Sequence, residues 1–521
     1  NLLTLHALTI QLYLLLFYFQ ILQMFLCANV NVIFSLNILG VFQAPAKSHF
    51  YVFEPYLQEL AARGHNVTVI SFFAEKKLRD NYHVIDLSEN SKLSEVNLPI
   101  IKSKIITFMI TSVIHVVGGP YTCRILLSDE RVQKLWTTEQ KFDVIVLEQF
   151  DSDCALGLAY KLGAPVVGLT SHMLLPWHYN RLGVPYNPSY VLFDFLEGGT
   201  KPSLFQRVQR IIWYSWFYFL NKYFTQNIEQ YIVRDYLGDV PSLEELGSNI
   251  RFMLLYQNFV LTGSSLLPAN IKEVGGYHVK EPKPLPDDVK KFIEESEQGV
   301  IYVSFGSILK ASTLPKSTVE EIISAFSVFP QRVIWKWEQS MAPGNPNIFV
   351  SKWLPQNDIL AHPKVLAFFS HCGLLGMTEA IHHGVPILGM PIFGDQPSNA
   401  AAAEEAGLGV QIDLNELTKE NIIKKLKIVL SPEFKKHAEL LSKAWRDRPI
   451  PAVDSAIFWT EFAAQHNFTY KSHSAQVPLY QYLCLDTLAI LILIVLAFGL
   501  SVKYSISLCC RRKRVIKNKK E

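Results

Sequence analysis

Residues Phe349 to Ala400 read FVSKWLPQNDILAHPKVLAFFSHCGLLGMTEAIHHGVPILGMPIFGDQPSNA, and this stretch decides the fold. Short apolar runs at Asn347–Val350, Val365–Ser370 and Ile387–Ile392 alternate with polar turns and a helical segment. That rhythm predicts a parallel sheet with crossover helices, in which ligands bind at the carboxyl ends of the strands. The polar residues gather at those ends. Trp353, fixed by the turn Leu354-Pro355, offers a flat indole on which a nucleobase can stack, with Gln356 ready to hydrogen-bond a polar edge. His371-Cys372-Gly373 turns into a helix expected from about Leu375. The amides around Gly373 and Gly376, at the positive end of the helix dipole, suit a diphosphate. Glu379 lies one turn further on, where a carboxylate can accept from ribose hydroxyls. Gly394-Asp395-Gln396 closes the series with an acid beside an amide, a pair that can grip adjacent sugar hydroxyls.

Upstream, Val300–Phe305 is a buried strand followed by Gly306-Ser307, a tight turn whose amides and Ser307 hydroxyl can meet a diphosphate. A helix over Thr318–Phe329 and a strand over Arg332–Trp337 complete this unit. Leu266–Pro268 and GGYHVKEPKPLP, Gly275 to Pro286, form a Pro/Gly-rich connector, the best domain boundary in the chain. The first half opens with a strand, Asn37–Phe42, an amphipathic helix, Phe50–Arg63, stopped by Gly64, and a second strand, Asn66–Phe72. His49 stands where the first strand gives way to the helix. Its imidazole can act as a general base, or it can simply cap the helix. Phe142–Leu147 is another buried strand, with Glu148, Asp151 and Asp153 at its end and a helix over Cys154–Leu162 beyond. A carboxylate there can orient His49 and raise its basicity; strand register favours Glu148, and a slip of a few residues would give Asp151 or Asp153. Asp151-Ser152-Asp153 also has an Asp-x-Asp spacing that can hold a metal, although acids before a helix commonly serve as N-caps. Val166–Thr170 is a further strand. Phe205 to Leu237, dense in aromatics, can line a lipophilic pocket, touch a bilayer or pack as core helices.

The chain has 521 residues, enough for two domains or more, and a formal charge of +3. Lys503 to Glu521 carries eight Lys/Arg against one Glu, so the basic excess is a local tail and the body is slightly acidic, which argues against a nucleic-acid partner. The seven cysteines are scattered without metal-ligand spacing, a pattern that excludes a disulfide framework and disfavours zinc. Residues 1–28 read as a signal peptide, with a retained anchor as the rival; the chain opens on Asn1, so the leader's basic start is expected to be missing. Residues 480–502 are long and apolar enough to span a bilayer, and Arg511-Arg512-Lys513-Arg514 then places the tail in the cytosol. Cys509-Cys510 can be acylated or free thiols, and lysines three and five from the end can form a retrieval signal or a plain basic tail. Asn467 heads a sequon suited to glycosylation; Asn66 heads another at the start of a strand, where modification is not expected.

The motifs WLPQ, SHCG, TEA, HHGVP and GDQ, in this order, resemble the signature of the UDP-glycosyltransferases, the membrane-bound animal enzymes that move a sugar from a UDP-sugar to small lipophilic molecules. Cys372 and Leu375 depart from the vertebrate His-Gly-Gly…Asn form and look like the invertebrate branch. The resemblance covers nearly the whole chain. It implies an α/β fold of two facing Rossmann-like domains (GT-B type) plus one C-terminal transmembrane helix. The corresponding division is an acceptor domain over 29–280, a donor domain with a return helix over 281–465, a linker over 466–479, the membrane helix over 480–502 and a cytosolic tail over 503–521. It implies His49 as catalytic base, a carboxylate at Glu148 or Asp151 as its partner, and donor contacts from Ser307, Trp353, Gln356, His371, Gly373, Gly376, Glu379, Asp395 and Gln396. The expected reaction is an inverting hexosyl transfer, with glucose suggested by the invertebrate look, no cofactor and no metal. Its partners would be a UDP-sugar, a small lipophilic acceptor and the endoplasmic-reticulum membrane, with the domains lumenal; an oligomer is possible. A non-catalytic lumenal binding protein of the same fold is the alternative. A nicotinamide dehydrogenase is disfavoured because no Gly-x-Gly-x-x-Gly follows an opening strand.

Overall fold

The computed structural model describes residues 35–73, 79–90, 103–306, 314–338, 345–467, 473–475 and 477–518. The signal peptide expected over 1–28, Ser307 and the last lysine pair lie outside these residues.

The first domain holds seven parallel strands: β1 (Asn37–Phe42), β2 (Asn66–Ser71), β3 (Tyr82–Asp86), β4 (Val144–Glu148), β5 (Val166–Thr170), β6 (Phe252–Leu255) and β7 (Ile271–Glu273). Their order is 3-2-1-4-5-6-7. The second holds six, β8 (Val300–Ser304), β9 (Arg332–Lys336), β10 (Ile348–Ser351), β11 (Val365–Ser370), β12 (Ile387–Gly389) and β13 (Gly409–Gln411), in the order 10-9-8-11-12-13. Both are doubly wound, with strand order reversing between β1 and β4 and between β8 and β11. Crevices open at the carboxyl ends of such switch points. The central strands are buried along almost their whole length because helices cover both faces, which is why they read as continuous apolar runs rather than alternating ones.

Five helices carry the argument that follows. They are α1 (Lys47–Ala62), α2 (Lys104–Ser128), α3 (Cys154–Leu162), α4 (Leu204–Leu220) and α5 (Leu374–His383). Three more close the chain's architecture: α6 (Gln396–Glu405), α7 (Ala452–Gln465) and α8 (Leu485–Asn518). Helix α7 returns from the second domain to the first. Its Ala456, Ile457 and Ala463 join the apolar layer of α1 and β1, Thr460 Oγ1 lies 2.6 Å from Tyr56 Oη, and Asp454 pairs with Arg63. The connector between Glu273 and Asp287 contains the expected boundary at 280, but the short helix Phe259–Thr262 already packs Leu261 into the second domain's core before the chain goes back to β7. On the cleft side the Phe195 N–H donates to Gly394 O at 2.9 Å, and Leu374 packs among first-domain apolar residues. The two sheets therefore meet at their carboxyl edges.

Four expectations need correction. Cys123 and Cys154 form a disulfide joining α2 to α3, a bond their separation of 31 residues did not advertise. Asp153 makes no side-chain cap. Instead its two oxygens accept from the buried Arg181 at 2.9 and 2.8 Å, so the Asp-x-Asp spacing serves an ion pair. The apolar helix begins at Leu485, not 480, because Cys484 has φ +53° and breaks it from the turn Leu479–Tyr482; it then continues through the basic residues, which are good helix formers. Much of the Phe205–Leu237 run is exposed rather than core.

Closing a loop of this length by a disulfide stabilises the fold by about 3–4 kcal/mol through the unfolded chain. Cys123→Ser is therefore expected to lower the unfolding free energy by roughly that amount, measured by denaturant titration against the oxidised parent. An equal midpoint for both would show that the bond does not form.

Candidate active site

The register of β1 on β4 sets the first half of the site. Val41 pairs with Leu147, so Glu148 is the next residue on its strand, and the chain leaves β1 to enter α1 two residues before His49. His49 Nδ1 lies 2.7 Å from Glu148 Oε1 and 3.0 Å from Ser171 Oγ. An ionised carboxylate can only accept, so the imidazole donates Nδ1–H to Glu148 and leaves Nε2 for a substrate. Burial pulls the imidazole's pKa down, but the hydrogen bond and charge of Glu148, joined by Asp395 and Asp151, offset this and raise it above 6.5. Of the three acids after β4, Glu148 holds the hydrogen bond, Asp151 contributes charge, and Asp153 is taken by Arg181. Burial, with the Glu148 charge beside it, lifts Asp151 to about 6. Phe150 packs edge-on to the imidazole at 4.6 Å between ring centres, and His172 stands behind at 6.2 Å.

The second half rises at the carboxyl ends of β8–β12. The His371 ring lies between two glycines: a Cβ at Gly306 or Gly373 would stand 2.6 or 2.5 Å from its Nε2. A larger residue at either position would have to displace the ring. Burial lowers His371 to about 4, with Lys336 adding to the effect, so the ring is neutral and offers hydrogen bonds rather than charge. Cys372 takes φ +62° at the turn and packs its sulfur against Gly389. The helix α5 then starts after Gly373 with no side-chain cap; the Leu374 amide turns to Asp395, and later first-turn amides, including that of Gly376, remain for an anion.

Trp353 is 64% exposed just beyond β10. Lys47 from α1 and Lys336 from β9 reach within 5.9 and 5.6 Å of its ring centre, so both domains flank this platform. Gln356 and Glu379 form one unit, Nε2 donating to Oε2 at 2.6 Å, with Tyr302 Oη 3.3 Å from the amide oxygen and His278 Nε2 3.7 Å from the other carboxylate oxygen. Asp395 precedes α6 and accepts from Asn399 Nδ2 at 2.6 Å; burial raises its pKa. Gln396 is less free than its motif implies, since its side-chain oxygen accepts from the Ile392 and Phe393 amides at 2.9 and 3.2 Å, leaving Nε2.

Four groups here escaped the sequence reading. Lys336, only 8% exposed, donates to the Gly306 carbonyl beside His371; burial lowers its pKa, Glu338 opposes this and Lys47 adds to it. Its one signal was a lysine at the end of a buried strand. Ser171 and His172 follow β5, again a strand end. Asp194, raised to about 8 chiefly by burial and then by Asp395, accepts from Ser398 Oγ at 3.1 Å across the domain boundary. Its loop carries no motif.

Carbethoxylation, which requires a neutral imidazole, is expected to titrate at His49 with a midpoint above 6.5, followed peptide by peptide in a mass spectrometer. In Glu148→Gln the midpoint should fall. An unchanged midpoint would remove Glu148 as the source of the shift.

Residues 40–521 match the sequence model of the family described as UDP-glucoronosyl and UDP-glucosyl transferase. The chain is 36% identical over 524 residues to UDP-glycosyltransferase UGT5 of Dactylopius coccus, covering 95% of each chain. It is 35% identical over 475 residues to UDP-glucosyltransferase 2 of the same insect, covering 90% of this chain and 92% of that one. Among solved structures it resembles Phytolacca americana UGT2, complexed with UDP-2-fluoro-glucose and pterostilbene. The TM-score is 0.58 at 14% identity, covering 83% of this chain and 100% of that one, a likeness of fold.

Proposed function

The chain belongs to the UDP-glucuronosyl and UDP-glucosyl transferase family, and from that premise we propose that it conjugates small lipophilic hydroxyl compounds with a hexose, glucose first, taken from a UDP-sugar. It is a UDP-glycosyltransferase. The observation that carries the proposed mechanism is the buried Glu148 on His49 Nδ1, beside Asp395 of the opposite domain. His49 Nε2 takes the acceptor's hydroxyl proton as that oxygen attacks the anomeric carbon from the face opposite UDP. The carbon–oxygen bond to the diphosphate breaks, UDP leaves with the electron pair, and the configuration inverts. Glu148 stabilises the imidazolium that forms.

Trp353 stacks on uracil, with the Gln356–Glu379 unit at the ribose. The diphosphate meets the α5 amides, neutral His371 and the cation Lys336, whose charge in a dry site offsets that of the departing UDP. Ser307 remains a proposed contact. Asp395 and the Gln396 amide address the hexose hydroxyls. The carboxylate of Asp395 on this side favours a neutral hexose over one bearing a carboxylate of its own.

The protein is proposed to sit in the endoplasmic-reticulum membrane with both domains lumenal. The exposed apolar helix over Leu485–Cys509 supports this, as does the basic run that follows it. So does the Cys123–Cys154 disulfide, which an oxidising compartment permits.

Membranes carrying the full chain, given labelled UDP-glucose and mixed phenols, are expected to form glucosides. His49→Ala should lower turnover about 10²–10⁴-fold with UDP-glucose still bound. Neither product nor UDP-glucose binding from the parent would favour the binding-protein alternative. Removing the indole in Trp353→Ala is expected to cost about 1–3 kcal/mol of base stacking, roughly a 5- to 150-fold rise in the KM for UDP-glucose. Little change in KM would remove the stacking role. EDTA should leave the rate unchanged; strong inhibition would overturn the metal-free mechanism.

A further inference from the structure

Helix α2 is built inside out. Up to Thr122 its covered face carries Ser112, His115, Gly119 and Thr122, while Ile105, Met109, Val113, Val117 and Tyr121 repeat every fourth residue on the outer face, each between 48% and 74% exposed; only the last turns, with Cys123 and Ile125 to Leu127, bury apolar groups in the usual way. A helix bathed in water places these groups the other way round. Helix α4 lies alongside, joined through Phe108 packed edge-on against Trp213 and through Trp216 Nε1 donating to Ser112 Oγ at 3.1 Å. It presents a second outer stripe of Phe205, Val208, Ile212, Trp216 and Phe219, all at least 40% exposed. Two neighbouring helices thus offer one broad apolar and aromatic face, larger than scattered surface hydrophobics explain.

We propose that the α2–α4 face docks in the plane of the same bilayer that α8 crosses, and this rests on the reading of α8 as a membrane span. The chain's own route argues for lipid as the occupant. Between α7 and α8, Ser474 Oγ donates to Gly183 O at 2.8 Å, and Tyr482, three residues before α8, comes within electrostatic reach of Tyr214 on the covered side of α4. The chain therefore approaches α8 alongside α4, and a membrane holding α8 lies close to the two helices. Helix α2 is apolar and long enough to cross a membrane by composition, yet its carboxyl half is buried and tied to α3 by the disulfide. It lies on the bilayer and does not traverse it. An amphipathic helix so placed buries its apolar face at the headgroup–acyl boundary, and aromatic groups such as Trp216 and Tyr121 suit that depth.

The test uses the full chain in phosphatidylcholine vesicles containing a phosphatidylcholine with a diazirine in its acyl chain, a probe that cannot leave the bilayer. After irradiation, crosslinks are expected in α8 and in peptides covering 104–121 and 204–219, and not around Tyr160 or Phe458, exposed apolar residues elsewhere on the body. Val113→Lys combined with Ile212→Lys should cut the body crosslinks severalfold while detergent-solubilised UDP-sugar turnover, the check on folding, stays unchanged. Crosslinks in α8 alone would overturn the docking face and leave the span intact. Crosslinks on the face without any in α8 would keep the docking and overturn the span; none in either would overturn both.

Discussion

The hydrogen bond from His49 to Glu148 is the contact on which the rest of the site depends. It exists because β1 and β4 pair in parallel at the reversal of the first sheet, which brings the residue after one strand beside the end of the other. Glu148 is 4% exposed, so its charge acts on the imidazole with little screening. Had the two strands been paired one residue out of register, Glu148 would face the opposite side of the sheet. The second domain repeats the device: Gly306 follows β8, His371 follows β11, and β8 pairs with β11 at the reversal. Two switch points facing each other thus bring the buried His49–Glu148 pair on one side toward the His371 turn and the start of α5 on the other.

The electrostatics of the cleft follow from burial. Asp395, Asp194 and Asp151 are all raised, chiefly by loss of water, while His371 is kept neutral. Positive charge near Trp353 comes from Lys336 and Lys47, one from each domain, 5.6 and 5.9 Å from its ring centre. Lys336 already donates to the Gly306 carbonyl and lies 3.8 Å from Glu338, so its charge is held in place at the turn beside His371.

Strands buried on both faces were the most legible part of the chain. Asn37–Phe42, Val166–Thr170 and Val365–Ser370 coincide with β1, β5 and β11 because unbroken apolar runs between turn residues have few other readings. The strands at β3, β7 and β13 left no such run: YHVID and IKE lie toward sheet edges and are polar, and GVQ has only three residues. Their pairing comes from the neighbouring strand, not from their own composition. Motif residues at strand ends were visible as chemistry, but their bonds were not. Gln396 spends its oxygen on two backbone amides, and Gln356 and Glu379 bond each other. Lys336 looks like any solvated lysine until β9 is placed beside β8. The Cys123–Cys154 bond needed two helices to be packed together first.

The anomeric configuration of the product tests the central claim most directly, because a single displacement in the cleft between His49 and the anion cradle fixes it. UDP-glucose carries an α linkage, so proton magnetic resonance of the purified conjugate is expected to show the β-glucoside alone. An α-glucoside, or a mixture of the two, would contradict in-line attack by an oxygen deprotonated at His49.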